Sequence, residues 1–350
     1  MKKLMVYPLT RETMPLLRYS AMLSDYDQVI SVIEKGSGAL DDKNIAYIDG
    51  GTKLNTKVFS DFQEALPLAD DVLFSSEVYD VSNCLKNFKL SKEAGKNIIV
   101  DEEFSAKLDI DCSDCTILHY QQYSSDVKSD QKLLKIPVPT VLVIGQGQNC
   151  NKFDIQMALR AKFQELGYKS SQVGTKYYSA LFGCHTLPLL PDEPLWRKIM
   201  LYNRYFKEIV DKEKPDVLIV GAPGGTMPID KWNNELFGET AIAISKSLEP
   251  DASVFSLYMT EKVDDLCNRI IEHSRYALGA PVDCFHISNT RLFFEQDMRT
   301  ISYLSTDYSK ALKGLSAGDN VKLFNVFIKD SLDDALEGIV EQLQNNIEVL

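Results

Sequence analysis

Short apolar runs alternate with longer segments of helical periodicity along most of this chain, and this alternation constrains the fold more than any other feature. The runs at 3–7, 71–74 and 97–100 are examples, and the pattern restarts at Thr140. Strand-like runs separated by helical patterns of about 10–15 residues indicate βαβ units. The run from Asp216 to Val220 is apolar after its first residue, which is typical of a parallel strand buried on both faces. The sequence therefore predicts an α/β protein with two doubly wound parallel sheets.

A polar stretch over residues 121–139 separates the two series of runs. It ends in Pro137 and Pro139, and two alternating prolines do not fit inside a central strand. At roughly 100–200 residues per domain, a chain of 350 residues is long enough for two domains. We therefore predict a Rossmann-like α/β domain over 1–135 and a second α/β domain over 136–350.

The same periodicities predict individual elements. Apolar residues at helical spacing predict helices over 12–23, 154–166 and 236–248. Compact apolar runs predict strands over 140–144 and 253–258, and a β-like run over 300–304 lies in the tail.

Bulk composition narrows the class of protein. The net charge is −12, and an acidic surface repels phosphate backbones, so a nucleic-acid partner is not expected. No stretch of about 18 apolar residues exists that would span a membrane, and the run from Leu4 to Leu9 is too short for a secretory signal. Seven scattered cysteines do not form an evident disulfide framework. These features predict a cytoplasmic protein with reduced thiols and no membrane partner; the oligomeric state stays open, a homo-oligomer included.

The segment after the predicted strand 140–144 carries the strongest chemical signal. It is a polar, glycine-containing turn that leads directly into a helix, and we call residues 145–152 the first glycine loop. Backbone N–H groups and the dipole at a helix start favour a phosphate group. The candidate ligand-binding residues of this loop are Gly145, Gly147, Asn149, Asn151 and Lys152.

The first glycine loop departs from the known phosphate-binding patterns. A P-loop has the pattern G-x-x-x-x-G-K-[ST]. Lys152 fits that pattern, but Asn151 stands in place of the glycine and Phe153 in place of the hydroxyl that holds Mg²⁺. The dinucleotide pattern G-x-G-x-x-G fails because Cys150 replaces its third glycine. Two interpretations remain: a site for ATP or another phosphate-bearing ligand, with or without Mg²⁺, or a tight turn kept for its geometry.

A second glycine-containing turn follows the strand that ends at Val220. It reads Gly-Ala-Pro-Gly-Gly and then Thr-Met-Pro over residues 221–228, which we call the second glycine loop. Together the two loops resemble the dethiobiotin synthetase-like branch of P-loop proteins, which includes amide-forming cofactor enzymes. The resemblance implies a degenerate P-loop core with Gly224 and Gly225 at the ligand. In that family an acidic residue that helps to hold Mg²⁺ stands where this chain has Val220, and Asp154 and Asp230 are the candidates to replace the missing metal ligands.

Three segments carry a second resemblance, which extends over the whole chain. They are Val6–Glu12, Tyr47–Gly51 and Gly145–Phe153. With these segments the chain is similar to a clostridial family of peptide maturation system proteins, which occur with cysteine-rich ribosomal peptides and radical-SAM enzymes. The resemblance implies an accessory role in the maturation of a ribosomally synthesised peptide. Its implied partners are a peptide substrate or carrier protein and a maturation enzyme, with a radical-SAM enzyme as one option; it supplies no catalytic residue.

Two residues are candidates for catalysis. Cys150 precedes a helix start, a position that lowers the pKa of a thiol and raises its reactivity. His185 follows an aromatic loop near predicted strand ends, and a histidine has the pKa of a general base at neutral pH. The alternatives are a small buried cysteine that fills space and a surface loop that packs its tyrosines.

Cys112 and Cys115 have the spacing C-x-x-C. A closed zinc site needs four ligands, so this pair would need Cys184 and His185 to complete it. The alternative is two thiols that flank a turn.

Three functions remain open on this basis, and whether the chain is an enzyme stays undecided. The first is an accessory protein of peptide maturation that binds a phosphate-bearing ligand or nucleotide at residues 145–152 and presents or activates a peptide or carrier. The second is an ATP-dependent ligase or kinase-like enzyme of the dethiobiotin synthetase type, and the third is a non-enzymatic scaffold with a vestigial nucleotide site.

Overall fold

The computed structural model of the chain describes residues 2–34, 45–261, 263–297, 299–315 and 321–347. Contacts between Cα atoms divide the chain into two compact units. The first unit comprises residues 1–120 and 176–186, and the second comprises 121–175 and 187–350.

The first unit contains a six-stranded sheet in the order β3-β2-β1-β4-β5-β6, and all its neighbouring strands are parallel. This is the doubly wound order in which connections leave β1 in one direction and β4 in the other. Its strands are β1 (Lys2–Tyr7), β2 (Tyr26–Val32), β3 (Val58–Phe59), β4 (Asp71–Phe74), β5 (Asn97–Asp101) and β6 (Thr116–Leu118).

Short helices connect these strands, and a cluster of aromatic side chains fills the core beside the sheet. The helices are α1 (Met14–Arg18), α2 (Phe62–Ala65), α3 (Val81–Glu93) and α4 (Phe104–Leu108). Phe74 on β4 lies 5.5 Å from Phe88 on α3 and 5.8 Å from Phe104 on α4, measured between ring centroids. Asp80 begins α3 by accepting a hydrogen bond from the backbone N–H of Asn83, as a helix N-cap does.

The second sheet has seven strands in the order β15-β12-β11-β7-β10-β8-β9, and the pairs from β15 to β8 are parallel. A separate antiparallel hairpin, β13 with β14, follows β12. These strands are β7 (Thr140–Gly145), β8 (Ser170–Gly174), β9 (His185–Thr186), β10 (Val217–Gly221), β11 (Ala252–Leu257), β12 (Cys284–Ile287), β13 (Thr290–Phe294), β14 (Ile301–Ser305) and β15 (Leu323–Phe324).

Helices cover both faces of this sheet, because side chains of a strand point alternately to either side. Leu142 and Ile144 of β7 pack on the face that carries α6 (Leu195–Glu213), α7 (Glu239–Leu248) and α8 (Asp264–His273). Val141 and Val143 pack on the opposite face, with α5 (Lys152–Glu165) and α9 (Lys329–Ile347). The prediction of two doubly wound parallel sheets is confirmed.

The strand order identifies where a ligand would meet the second sheet. From β7 the chain runs to β8 on one side, whereas from β11 it runs to β12 on the other side, and β7 and β11 are neighbours. Ligands of open α/β sheets bind outside the carboxyl ends of strands at such a switch point. The first glycine loop follows β7, so it lies at this position.

Two predicted helices are shorter in the structure, and one hairpin was missed. Helix 236–248 begins only at Glu239, because residues 235–237 have left-handed backbone angles that a right-handed helix does not accept. Helix 12–23 is reduced to α1 and a 3₁₀ turn over Ser20–Met22. The predicted β-like run 300–304 is β14, whose antiparallel partner β13 was not predicted. No helix within the described residues is long and apolar enough to cross a membrane.

Candidate functional site

Lys152, the first residue of α5, connects the two glycine loops. Its Nζ donates a hydrogen bond to the carbonyl oxygen of Gly147 at 2.6 Å and another to that of Gly224. The residue is 8% exposed, so its ammonium group lies inside the loops. The structure therefore brings together three residues that were singled out separately in the sequence.

Close backbone contacts explain why glycine stands at several positions of the two loops. A Cβ on Gly225 would lie 2.3 Å from the carbonyl oxygen of Gln146, and a Cβ on Gly145 would lie 2.7 Å from that of Ser256. Real Cβ atoms do not come this close to backbone atoms, so a side chain at either position would push the strands or loops apart. Gly225 is thus where the second loop packs directly on the first.

Two asparagines give the first glycine loop its shape. Asn149 and Asn151 have φ angles of 55° and 60°, in the left-handed region that asparagine tolerates better than most residues. The carbonyl oxygen of Asn149 accepts a hydrogen bond from Thr290 Oγ1, and Asn151 Oδ1 accepts one from the backbone N–H of Asn289 at 3.1 Å. The segment between β12 and β13 therefore holds the loop from one side.

The end of β11 holds the loop from the other side through Tyr258. The backbone N–H of Tyr258 donates to Gln146 Oε1 at 2.8 Å, and its hydroxyl donates to the carbonyl oxygen of Gln148 at 2.7 Å. Burial raises the pKa of the Tyr258 phenol far above its ordinary value. Tyr258 is consequently a neutral hydrogen-bond donor. Its hydroxyl group also lies against Gly147, where a Cβ would be 2.3 Å from the hydroxyl oxygen.

A buried chain of hydrogen bonds supports the loop from below. Ser256 Oγ donates its proton to the carbonyl oxygen of Cys150. His286 Nδ1 lies 2.9 Å from Ser256 Oγ, and it must therefore carry a proton and donate it to Ser256 Oγ. Burial lowers the pKa of His286 to about 3, so its imidazole is neutral at physiological pH. Among the described residues, His286 Nε2 has no hydrogen-bond partner. A single tautomer of His286 is thereby selected.

The carboxylate of Glu235 lies among three glycines of the two loops. Its Oε2 accepts a hydrogen bond from the backbone N–H of Gly225 at 2.8 Å. A Cβ on Gly147 would lie 3.3 Å from Oε1, and a Cβ on Gly224 would lie 3.4 Å from Oε2. Sequence reasoning missed both Glu235 and Tyr258. For Tyr258 a signal existed, because it ends the predicted strand 253–258 at the same edge of the sheet as the first glycine loop.

The two catalytic candidates occupy different places. Cys150 is 1% exposed, and its thiol donates to the carbonyl oxygen of Gly147 at 3.1 Å, so it faces the inside of the loop. His185 is the first residue of β9 and belongs to the first unit. The Cys150 thiol therefore packs against the loop backbone.

The positions that would hold Mg²⁺ in a P-loop do not fit a metal. Phe153 and Val220 are 3% and 0% exposed and pack in the cores. Asp154 accepts a hydrogen bond from Asn151 Nδ2 at 3.0 Å. Asp230 accepts bonds from the backbone N–H groups of Asn233 and Trp232, which lower its pKa.

A zinc site at Cys112 and Cys115, one of the two alternatives for this pair, would need two further ligands. In the part of the chain that the structure describes, no group of three or more His, Cys, Asp or Glu side chains could hold a metal ion. Burial raises the pKa of Cys115 to about 12 and also that of Cys112, so both are protonated thiols.

An open cavity of about 430 Å³ is lined by Met259, Thr260, Glu261, Arg291 and Leu292, none of which belongs to either glycine loop. Its lining includes Met259 and Arg291, the neighbours in sequence of Tyr258 and Thr290, which both bond to the loop. The backbone N–H of Met259 donates to the carbonyl oxygen of Thr290 at 2.7 Å, which joins the two sides.

Comparison with known proteins shows a shared fold. No protein-family model matches the chain, and no curated protein matches it. The chain resembles the crystal structure of a DUF1611 family protein from Anabaena variabilis ATCC 29413, with a TM-score of 0.60 and 12% identity over 97% of this chain and 100% of that one. At this identity the similarity concerns the fold alone.

Two other solved structures are more distant. A GTPase in apo form from Pyrococcus abyssi has a TM-score of 0.31 and 14% identity over 57% of this chain and 97% of that one. A pseudomurein peptide ligase type C from Methanothermus fervidus has a TM-score of 0.27 and 9% identity over 92% and 48%. At TM-scores this low, neither structure bears on the fold or function of this chain. The resemblance to the peptide maturation family stays a hypothesis.

Proposed function

We propose that the second unit binds a phosphate-bearing ligand, such as a nucleotide, at the first glycine loop. The observation that carries the proposal is the position of Lys152, whose Nζ lies within hydrogen-bond distance of carbonyl oxygens in both glycine loops. A lysine at the start of a helix, at the switch point of a parallel sheet, is where P-loop proteins place the ammonium group that contacts phosphates.

The surrounding groups suit an anion in the same way. The N-terminus of α5 contributes its dipole, and the backbone N–H of Gly225 already donates to a carboxylate. Because Gly224 has no side chain, the Glu235 carboxylate approaches the backbone there, where a Cβ would lie 3.4 Å from Oε2.

The site favours binding of the phosphate-bearing ligand without ordinary ATP hydrolysis. Mg²⁺ normally supports phosphate transfer through the hydroxyl after the P-loop lysine and an acidic residue at the next strand. Buried Phe153 and Val220 occupy those positions. The ligase or kinase-like alternative therefore lacks its metal ligands.

The wider role that we propose is accessory. The resemblance of Val6–Glu12, Tyr47–Gly51 and Gly145–Phe153 to the peptide maturation family supports a part in processing a ribosomally synthesised peptide. The bound phosphate would then belong to a nucleotide or to the phosphopantetheine arm of a carrier.

Thermal unfolding of the full chain with and without millimolar ATP, ADP or pyrophosphate tests the binding proposal. A ligand at ~100 times its dissociation constant adds roughly 2.7 kcal/mol of stability, which raises Tm by a few degrees. Lys152→Met keeps the aliphatic stem but removes the ammonium group, so it should lose this response.

Lys162→Met is the matched control, because Lys162 lies on the same helix and pairs at 3.6 Å with Glu337 instead of with the loops. It should respond as the wild type does. An equal Tm shift in the wild type and Lys152→Met would contradict the proposal, as would no shift with any of these ligands.

A further inference from the structure

We infer that the Glu235 carboxylate occupies the anion position of the two glycine loops, so that a phosphate-bearing ligand binds by displacing it. This inference rests on the proposed function and adds the residue that regulates the site. It also names the ligand class, since a displacing group must bind more strongly than a carboxylate, as a di- or triphosphate does.

The placement of the carboxylate is the first argument. Glu235 Oε2 takes the hydrogen bond of the Gly225 N–H at 2.8 Å, and this N–H is one that a bound phosphate would use. The other oxygen, Oε1, lies near Gly147, where a Cβ would be 3.3 Å away. The carboxylate thus lies against both loops and holds the Gly225 N–H.

The backbone of the same segment is the second argument. Glu235, Leu236 and Phe237 have φ angles of 47°, 50° and 54°, and three successive non-glycine residues rarely adopt the left-handed region. The side chains of Leu236 and Phe237 are 69% and 70% exposed, so packing of these side chains contributes little to this conformation. Strained segments of this kind occur at sites that switch between two arrangements.

Electrostatic repulsion prevents the Glu235 carboxylate and a phosphate group from occupying the loops at the same time. Two anionic groups a few ångströms apart in a poorly solvated loop repel each other strongly. A phosphate that accepts the Gly225 N–H therefore requires the Glu235 carboxylate to leave. The apparent Kd then equals the Kd of the open state divided by the fraction of molecules in which the carboxylate has already left.

Calorimetric titration of the full chain with sodium pyrophosphate, without divalent cations, tests the displacement. Glu235→Gln removes the charge and Glu235→Ala removes the whole group, and each should lower Kd by about tenfold or more if the open state is populated at ~10% or less. Glu239→Gln is the matched control. The Glu239 carboxylate accepts a hydrogen bond from Lys198 Nζ at 3.1 Å, so the Kd of this variant should stay near that of the wild type. Adding Lys152→Met to Glu235→Gln should abolish the gain.

The outcomes separate this inference from the proposed function. Equal Kd values for the wild type, Glu235→Gln and Glu235→Ala would overturn the displacement and leave phosphate binding intact. Weaker binding by both Glu235 variants would overturn it too, since Glu235 would then assist the ligand. No binding by any folded variant would overturn both.

Discussion

Individual buried polar side chains determine the shape of the first glycine loop. Ser256 and His286 support the carbonyl oxygen of Cys150 from inside the sheet, and Tyr258 holds that of Gln148. The bonds from Ser256 to Cys150 and from Tyr258 to Gln148 connect residues more than a hundred positions apart in the chain. The loop is therefore positioned by the strands β11 and β12 as much as by its own sequence.

His286 makes stability depend on pH in a defined direction. Burial lowers its pKa from 6.5 to about 3, so between these values the unfolded chain binds a proton that the folded chain does not. The contribution is fully present above pH 6.5 and is lost as pH falls toward 3. The free energy of unfolding should decrease with a slope approaching about 1.4 kcal/mol per pH unit in this window.

Urea denaturation of the wild type and His286→Asn between neutral pH and pH 4 measures this effect. Asparagine cannot titrate, so the difference in unfolding free energy between the two proteins should shrink as the pH is lowered. A difference that stays constant with pH would show that His286 does not cause the loss.

At the scale of elements, the turn over residues 235–237 stands out. It precedes α7 and replaces the first turn of the predicted helix 236–248. Left-handed backbone angles cost about 1–2 kcal/mol per L-residue, whereas glycine avoids this cost. Leu236 is exposed, so removing its side chain sacrifices little packing.

Leu236→Gly should therefore raise the free energy of unfolding by about 1 kcal/mol, the left-handed cost less the extra chain entropy of glycine. Leu236→Ala also shortens the side chain but keeps the Cβ, and it should give no gain. Chemical denaturation of the three proteins measures the difference. Equal stability of Leu236→Gly and Leu236→Ala would mean that the turn is not strained.

The elements themselves were largely predictable, and the contacts between distant residues were not. Lys152 and the glycines of both loops could be singled out because their patterns are local in sequence. Glu235 could not, because the stretch around it has no periodicity and the helical spacing from Leu236 onward extended the predicted helix into the turn. The bond between His286 and Ser256 was not predictable either, because it depends on the register of β11 and β12, where these two residues are paired.

At the scale of the whole molecule, the polar stretch 121–139 is tied to the second unit. Asn203 on α6 is 1% exposed and bonds to both backbone groups of Leu134, at 2.7 and 2.9 Å. Its Nδ2 also donates to the carbonyl oxygen of Ser247 at 2.8 Å. The side chain of Asn203 thus joins the polar stretch 121–139, α6 and the end of α7.

Asn203→Ala should lower the free energy of unfolding by about 3 kcal/mol, because it leaves the buried carbonyl oxygen of Ser247 and the partly buried backbone groups of Leu134 without this partner. Lys207→Ala on the same helix removes only an i,i+4 pair with Asp211 and should cost less than about 0.5 kcal/mol. Chemical denaturation monitored by circular dichroism compares the two. Similar losses in both variants would contradict the role of Asn203.

A crystal structure of the full chain grown with pyrophosphate tests the central claim most directly. The account predicts a phosphate group that accepts hydrogen bonds from the Gly225 N–H and from Lys152 Nζ, with the Glu235 carboxylate moved away from Gly225. Pyrophosphate bound elsewhere, with Glu235 still bonded to Gly225 at a ligand concentration that saturates the protein in solution, would contradict it.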